Sequence, residues 1–330
     1  MPAKPARLIY AKGGDTALVL FTSGTTSAPK IVSRSHNNIC FGAERKIKNM
    51  SLNSQDRILH TFPFYSGISI NDTVTILAAG GTVIFPESLV VEQLFDLIER
   101  TLPTCFYGSP VVFHSLTEYA EKSHMKCNCN SLRYIRTSGA AVTEELKARL
   151  NSIFGVPVYI AYGLTETENI ACSINSPQGY KAGSVGVPFD IEVAILNATG
   201  RIAESSQIGE IIVRGTQVIK LYDNDDDQIN IDSFYGDWFR TGDSGYLDED
   251  GYLFVKGRVK EIINRGGEKV SPYEVEAAIA QHPDVLQVTV FPIPAGEGIE
   301  DVGAAIVLKE GTELFLKELR RFLKWKSYVI

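Results

Sequence analysis

Between Thr82 and Ile160 the chain switches repeatedly between two periodicities, and that alternation limits the folds open to it. Thr82-Val83-Ile84-Phe85 reads as a buried strand, after which Val91, Leu94, Phe95 and Ile98 recur at the spacing of one helix face. Cys105-Phe106-Tyr107 is again strand-like, a helix is expected after Pro110, and Leu132 to Arg136 predicts the next strand. Thr143 can cap a helix carrying Leu146, Leu150 and Phe154, Gly155 can end it, and Val158-Tyr159-Ile160 begins another strand. Strands separated by helix-length crossovers imply an α/β fold with a mainly parallel, helix-covered sheet.

From about Gly183 to Gly257 short β-runs (Glu192 to Leu196, Glu210 to Val213, Tyr252 to Val255) are separated by turn residues, which predicts a small antiparallel β subdomain. After Arg258 the pattern changes again. Ser271-Pro272-Tyr273-Glu274 has the form of a capping box with proline at the first helical position. A helix to Gln281, strands at Val285 to Phe291 and Ala304 to Leu308, and a last helix from about Thr312 would complete a small α+β unit. The expected division is therefore a large domain over residues 1–258, with its α/β core to about 182 and its β subdomain over about 183–257, and a C-terminal α+β domain over 259–330.

Composition narrows the partners. A net charge of −7 argues against a nucleic-acid partner, which requires clustered Lys and Arg. No apolar run reaches bilayer length, so a membrane partner is not expected, and no apolar signal core follows Met1. The count of five cysteines is odd and sparse, which suits the reducing cytoplasm.

The sharpest chemical feature is Leu18-Val19-Leu20-Phe21 running into Thr22-Ser23-Gly24-Thr25-Thr26-Ser27-Ala28-Pro29-Lys30. An apolar strand delivers a loop dense in hydroxyls, with one glycine and with a lysine behind a rigid proline. Hydroxyls and free backbone N–H groups can wrap phosphate oxygens while Lys30 neutralises charge. The loop lacks the G-x-x-x-x-G-K-[ST] spacing of a Walker A motif.

This segment resembles the phosphate-binding signature of the adenylate-forming superfamily, which contains acyl- and aryl-CoA ligases, peptide-synthetase adenylation domains and beetle luciferases. Further resemblances follow in order. Phe62-Pro63-Phe64-Tyr65-Ser66-Gly67 is similar to the motif lining the acid pocket, and Thr137-Ser138-Gly139-Ala140-Ala141 to the loop under the adenine. Tyr162-Gly163-Leu164-Thr165-Glu166-Thr167 resembles the aromatic-Gly-x-Thr-Glu motif. Trp238 to Asp243 and Gly257-Arg258-Val259-Lys260 resemble the ribose and hinge motifs, and Arg265 to Pro272 the C-terminal-domain motif.

The resemblance implies an ATP-dependent acid–thiol ligase using Mg²⁺, with CoA or a carrier-protein pantetheine as acceptor and a carboxylic acid as substrate. It implies that Thr22, Ser23, Gly24, Thr25, Thr26 and Lys30 hold phosphates, and that Gly139, Ala140, Ala141, Tyr162, Gly163 and Leu164 surround the adenine. Thr165 would bond a phosphate and Glu166 would hold Mg²⁺. Asp243 would take the ribose hydroxyls with support from Arg258. Lys260 would be the interdomain pivot, Gly266 and Gly267 would let the pantetheine arm pass, and Tyr65, Gly67, Ile68 and Ser109 would line the acid pocket.

The sequence departs from the family at Ser27, Ile31 and Leu221, where glycines are common, and at Tyr65, where many members have histidine. Measured against the resemblance, the chain reads as truncated at both ends, short of the segment before the phosphate loop and of the final glycine-lysine motif. Losing one preorganised transition-state donor costs about 10²–10³ in rate, so impaired turnover is expected. A complementary fragment of a split enzyme is one partner consistent with that reading. A non-catalytic nucleotide-binding remnant and an enzyme loading a carrier protein are the alternatives.

Overall fold

The computed structural model describes residues 10–22, 29–125, 127, 129–140, 142–176, 179–224, 227–266, 268–296 and 299–325. The chain divides into two compact units, one of residues 1–193, 212–240 and 250–253, the other of residues 194–211, 241–249 and 254–330.

The first unit opens with an antiparallel pair, β1 (Thr16–Thr22) and β2 (Lys30–Ser35), then α1 (His36–Asn49). Alternating elements follow: β3 (Arg57–His60), α2 (Gly67–Ala78), β4 (Thr82–Ile84), α3 (Val91–Thr101), β5 (Cys105–Gly108), α4 (Pro110–Lys122), β6 (Tyr134–Ser138), α5 (Glu144–Phe154), β7 (Val158–Leu164), β8 (Glu168–Cys172) and β9 (Val187–Pro188). They form a seven-stranded sheet in the order β4-β3-β5-β6-β7-β8-β9, parallel from β4 to β7 and antiparallel beyond. The α/β architecture expected from the sequence is the one observed.

Parallel strands are joined by crossovers on the sheet faces, so both faces are buried, and most of the side chains they bury are apolar. Register aligns Leu59 with Phe106, Phe106 with Ile135 and Ile135 with Val158, and this row packs with Leu94, Ile98, Phe113, Leu146 and Phe154. The opposite face buries Ile58, Cys105, Tyr107, Tyr134 and Ala161 with Met50 and Ile76. Local signals act as read. Leu94, Phe95 and Ile98 are the buried face of α3, the Thr143 hydroxyl accepts from the Leu146 N–H at 3.1 Å, and Gly155 ends α5 with φ 68°.

The predicted strand Leu132 to Arg136 lies two residues early. Strand ends are set by neighbours: β6 begins where Tyr134 pairs with Cys105 and continues because Thr137 pairs with Gly108 and Ser138 with Ala161.

Next in chain order come β10 (Glu192–Leu196), β11 (Gly209–Arg214), α6 (Asp227–Ser233), β12 (Phe234–Tyr235), β13 (Trp238–Leu247) and β14 (Leu253–Arg258). These strands form a sheet in the order β10-β11-β13-β12, with β14 also against β13, and most of β10, β13 and β14 lies in the second unit. The chain continues through the hairpin β15 (Ile263–Arg265) and β16 (Glu268–Val270), α7 (Pro272–Ile279), the long hairpin β17 (Val285–Gly296) and β18 (Ile299–Leu308), and α8 (Leu316–Trp325). Ile263, Val275, Ile279, Val285, Val290, Leu319 and Leu323 make its α+β core. The Ser271 side chain caps α7 by accepting from the Glu274 N–H. The last helix starts later than the Thr312 expected. The Thr312 hydroxyl donates to the Lys309 carbonyl at 2.7 Å and closes a turn, while Glu318 accepts from the Phe315 N–H at the true helix start.

Candidate functional site

Register decides where the motif residues gather. Strands β3, β5, β6 and β7 are neighbours in the parallel sheet, and their carboxyl ends lead into Gly67 and Ile68, Ser109, Gly139 and Ala140, and Tyr162 to Leu164 respectively. The acid-pocket and adenine residues of the sequence reading therefore leave one edge of one sheet, the edge where open α/β sheets bind ligands. Gly139 takes φ 87°, a backbone conformation that glycine adopts without strain. Ser109 uses its hydroxyl to cap α4, and Tyr65 is exposed. Ala141 lies outside the described residues.

The β1–β2 register sets Thr22 opposite Lys30, so the hairpin brings the two ends of the hydroxyl loop together. Ser23, Gly24, Thr25 and Thr26 lie outside the described residues. The exit of the loop is clamped by Asn224, whose Oδ1 accepts from the Ile31 N–H at 2.8 Å and whose Nδ2 donates to the Pro29 carbonyl at 3.1 Å. Lys30 Nζ donates to Ser233 Oγ at 3.2 Å and lies 4.5 Å from the centroid of the Tyr222 ring.

The same tyrosine donates its O–H to Glu166 Oε1 at 2.6 Å, and both side chains are buried. Glu166 sits in a turn closed by the Leu164 N–H donating to Thr167 Oγ1 at 3.1 Å and the Thr167 N–H donating to the Leu164 carbonyl at 3.2 Å. The Ile219 N–H donates to the Glu166 carbonyl at 3.0 Å and ties the turn to the segment leading to Tyr222. The carboxylate and the lysine, read from motifs far apart in sequence, thus meet on one aromatic side chain that the sequence reading left without a role.

Beneath the turn lies a second feature the motifs did not reveal. Arg34 donates to the Thr165 carbonyl at 3.1 Å and to Glu168 Oε1 at 3.0 Å. Glu168 takes φ 56°, and Lys46 lies 3.6 Å from its other oxygen. Two glycines make room for it. A Cβ on Gly42 would fall 2.1 Å from its carboxylate, and one on Gly163 would fall 1.9 Å from its carbonyl oxygen. The ion cluster continues through Lys46 to Asp72 (3.3 Å), which also pairs with Arg136 at 2.8 Å and with His60 at 3.3 Å. Burial pulls the Arg34 guanidinium below its ordinary value against the opposing charge of Glu168. Burial alone would raise the Asp72 carboxyl, but the charges of Arg136 and Lys46 outweigh it and hold the group far below the usual carboxylate range. One signal was available. Arg34 falls two residues after Val32 on the buried side of β2, an unusual place for a charge unless it is paired.

In the second unit Asp243 is buried on β13 and accepts from Arg258 Nε at 2.9 Å. Arg258 also donates to the Thr241 carbonyl at 3.2 Å, and the Thr241 hydroxyl accepts from the Asp243 N–H at 3.0 Å. The structure therefore pairs the two residues read as a ribose-binding set. Lys260 is exposed in the short turn Val259–Glu261, which starts two residues after Gly257 with φ 122°. Gly266 turns the β15–β16 hairpin with φ 60°; Gly267 lies outside the described residues.

Among the described residues no three His, Cys, Asp or Glu side chains gather as a metal cage. A single buried carboxylate, engaged at one oxygen by Tyr222, is instead the donor set suited to a magnesium ion carried mainly by substrate phosphates. No helix among the described residues is long and apolar enough to cross a membrane.

The chain belongs to the AMP-binding enzyme family. Residues 4–223 match the AMP-binding enzyme family and residues 274–327 its C-terminal domain, which places the chain in the adenylate-forming superfamily. It is 35% identical to the oxalate–CoA ligase of Arabidopsis thaliana, over 94% of this chain and 61% of that one. Among solved structures it is similar to the O-succinylbenzoate coenzyme A synthetase of Bacillus subtilis in complex with ATP and magnesium ion. The identity is 30% and the TM-score 0.86, over 98% of this chain and 66% of that one. It is also similar to ATP-bound MatB from Rhodopseudomonas palustris, at 26% identity and a TM-score of 0.88, over 96% of this chain and 63% of that one. The chain spans less than two thirds of the length of these proteins.

Proposed function

We propose that the chain binds ATP with Mg²⁺, converts a carboxylic acid to an acyl-adenylate, and passes the acyl group to the thiol of coenzyme A. The observation that carries this reading is the meeting of Lys30 and Glu166 on Tyr222, since a cation beside a buried carboxylate suits a metal-bearing triphosphate.

A carboxylate is a poor electrophile, and joining it to AMP supplies a leaving group. In the first step a carboxylate oxygen attacks the α-phosphorus in line, and the bond from that phosphorus to pyrophosphate breaks. In the second, the thiol sulfur attacks the acyl carbon and AMP leaves with the C–O electron pair. The work of the chain is to position and to hold charge. Lys30 and the hydroxyl loop at Thr22 would hold phosphate oxygens, and Thr165 would add a hydrogen bond. Glu166 would hold Mg²⁺, which neutralises charge on the phosphates when bound. Tyr162 and Gly139 to Ala141 would take the adenine, and Asp243 with Arg258 the ribose. Tyr65, Gly67, Ile68 and Ser109 would face the acid. Lys260, exposed in a short turn three residues after a glycine in a conformation that L side chains rarely adopt, suits a pivot, and Gly266 with Gly267 suits passage of the pantetheine arm. Coenzyme A is favoured over a carrier protein because the relatives named above include CoA ligases.

Acid-dependent exchange of labelled pyrophosphate into ATP tests the first step. Exchange above that of a Glu166→Ala control is expected with at least one acid of a panel of short, aromatic and long-chain carboxylates. ATP·Mg²⁺ binding without exchange on any acid would reduce the chain to a nucleotide-binding module.

A further inference from the structure

Building on the proposed ATP·Mg²⁺ site, we infer that Tyr222 is a positioning residue that holds Glu166 ready for the metal and keeps Lys30 off it. The two charged groups that would serve one triphosphate have opposite signs. Without a ligand they would attract one another, and a direct ion pair would have to be broken each time a nucleotide entered. Tyr222 offers each of them a different partner on one side chain. Its O–H donates to Glu166 Oε1 at 2.6 Å, a short charge-assisted bond, and its ring face lies 4.5 Å from Lys30 Nζ.

A positioning group must itself be fixed, and Tyr222 is. Its backbone N–H donates to Asn230 Oδ1 at 2.7 Å and its carbonyl accepts from Asn230 Nδ2 at 3.0 Å, so one amide side chain grips both backbone polar groups. Its ring packs against Phe239 with centroids 6.2 Å apart, and the residue is 3% exposed. Asn230 and the lysine's partner Ser233 both belong to α6, so one short helix steadies both arms of the device. The phenol engages a single oxygen of Glu166, leaving the other outside that bond for a cation.

The two functions of the side chain can be separated. Tyr222→Phe keeps the ring beside Lys30 and removes only the O–H. Calorimetric titration of ATP into the purified chain, without metal and across a series of MgCl₂ concentrations, reads each function. For Tyr222→Phe the Mg²⁺ concentration giving half-maximal enhancement of ATP binding should rise about tenfold, as expected for loss of a hydrogen bond to a charged group. ATP affinity without metal and at saturating Mg²⁺ should stay within about twofold of the parent. Tyr222→Leu, which also removes the ring, should in addition weaken metal-free ATP binding. An unchanged Mg²⁺ dependence in Tyr222→Phe would overturn the inference. So would equal losses in metal-free and metal-assisted binding, the signature of a purely structural role. If the parent chain itself bound no ATP, the proposed function would fail first; a parent that binds and a Tyr222→Phe variant that matches it would refute the tyrosine's role alone.

Discussion

Asp72→Ala should destabilise the first unit by about 3–5 kcal/mol, the cost of stripping one partner from a buried ion cluster. Asp72 is 3% exposed and is shared by Arg136 at 2.8 Å, Lys46 at 3.3 Å and His60 at 3.3 Å. Removing it takes from buried Arg136 and Lys46 the carboxylate they share, and Glu168, 3.6 Å from Lys46, is already paired with Arg34. The sign of the pH dependence follows from the same contacts. Burial works against the ionised carboxyl, but the charges of Arg136 and Lys46 prevail and hold it well below its unfolded value. The unfolded chain therefore takes up this proton first. The stabilisation is full above about pH 4, the ordinary aspartate range, and drains away as the pH falls below it. Urea unfolding at neutral pH and at about pH 3 checks both statements. A change below about 1 kcal/mol at neutral pH, or a variant as acid-sensitive as the parent, would contradict them.

Glu166→Gln should lower the rate of acid-dependent pyrophosphate exchange by about 10²–10³ while leaving the fold intact, the loss typical of one preorganised charge-stabilising group. The substitution is nearly isosteric, and its amide oxygen can still accept from Tyr222, so the local structure at 2.6 Å is preserved while the charge is removed. Steady-state exchange at saturating Mg²⁺, alongside a melting curve, separates catalysis from stability. A rate within about threefold of the parent would remove Glu166 from the proposed chemistry.

The fold was legible wherever a local rule decides it. Thr143 and Gly155 bound α5 because a hydroxyl cap and a left-handed glycine act within one turn of chain, and the apolar spacing of α3 chose its buried face. Misplaced edges include the start of β6, set by pairing with Cys105, and the inner ends of β17 and β18, which pair on to Gly296 and Ile299, five residues beyond the Phe291 and Ala304 read. The helix α8 starts late because Thr312 closes a local turn on the Lys309 carbonyl. The site divides the same way. Lys30 stands out because it closes a hydroxyl-dense run, whereas Glu166 and Asp243 are marked only by the resemblance of their segments to family motifs. Tyr222 and the pair of Arg34 with Glu168 did not, because their significance lies in contacts between residues 56 and 134 positions apart. A lone tyrosine after Leu221 and an arginine in an apolar strand carry little meaning until folding supplies the partner.

On the proposed reading, this chain carries a nucleotide site whose phosphates are held by Lys30. Isothermal titration of ATP·Mg²⁺ into the parent and into Lys30→Ala tests it most directly. Saturable binding by the parent is expected, displaced by a non-hydrolysable acyl-adenylate mimic and weakened at least about tenfold in a variant that melts like the parent. Absence of saturable binding, or equal affinity in the two proteins, would contradict it.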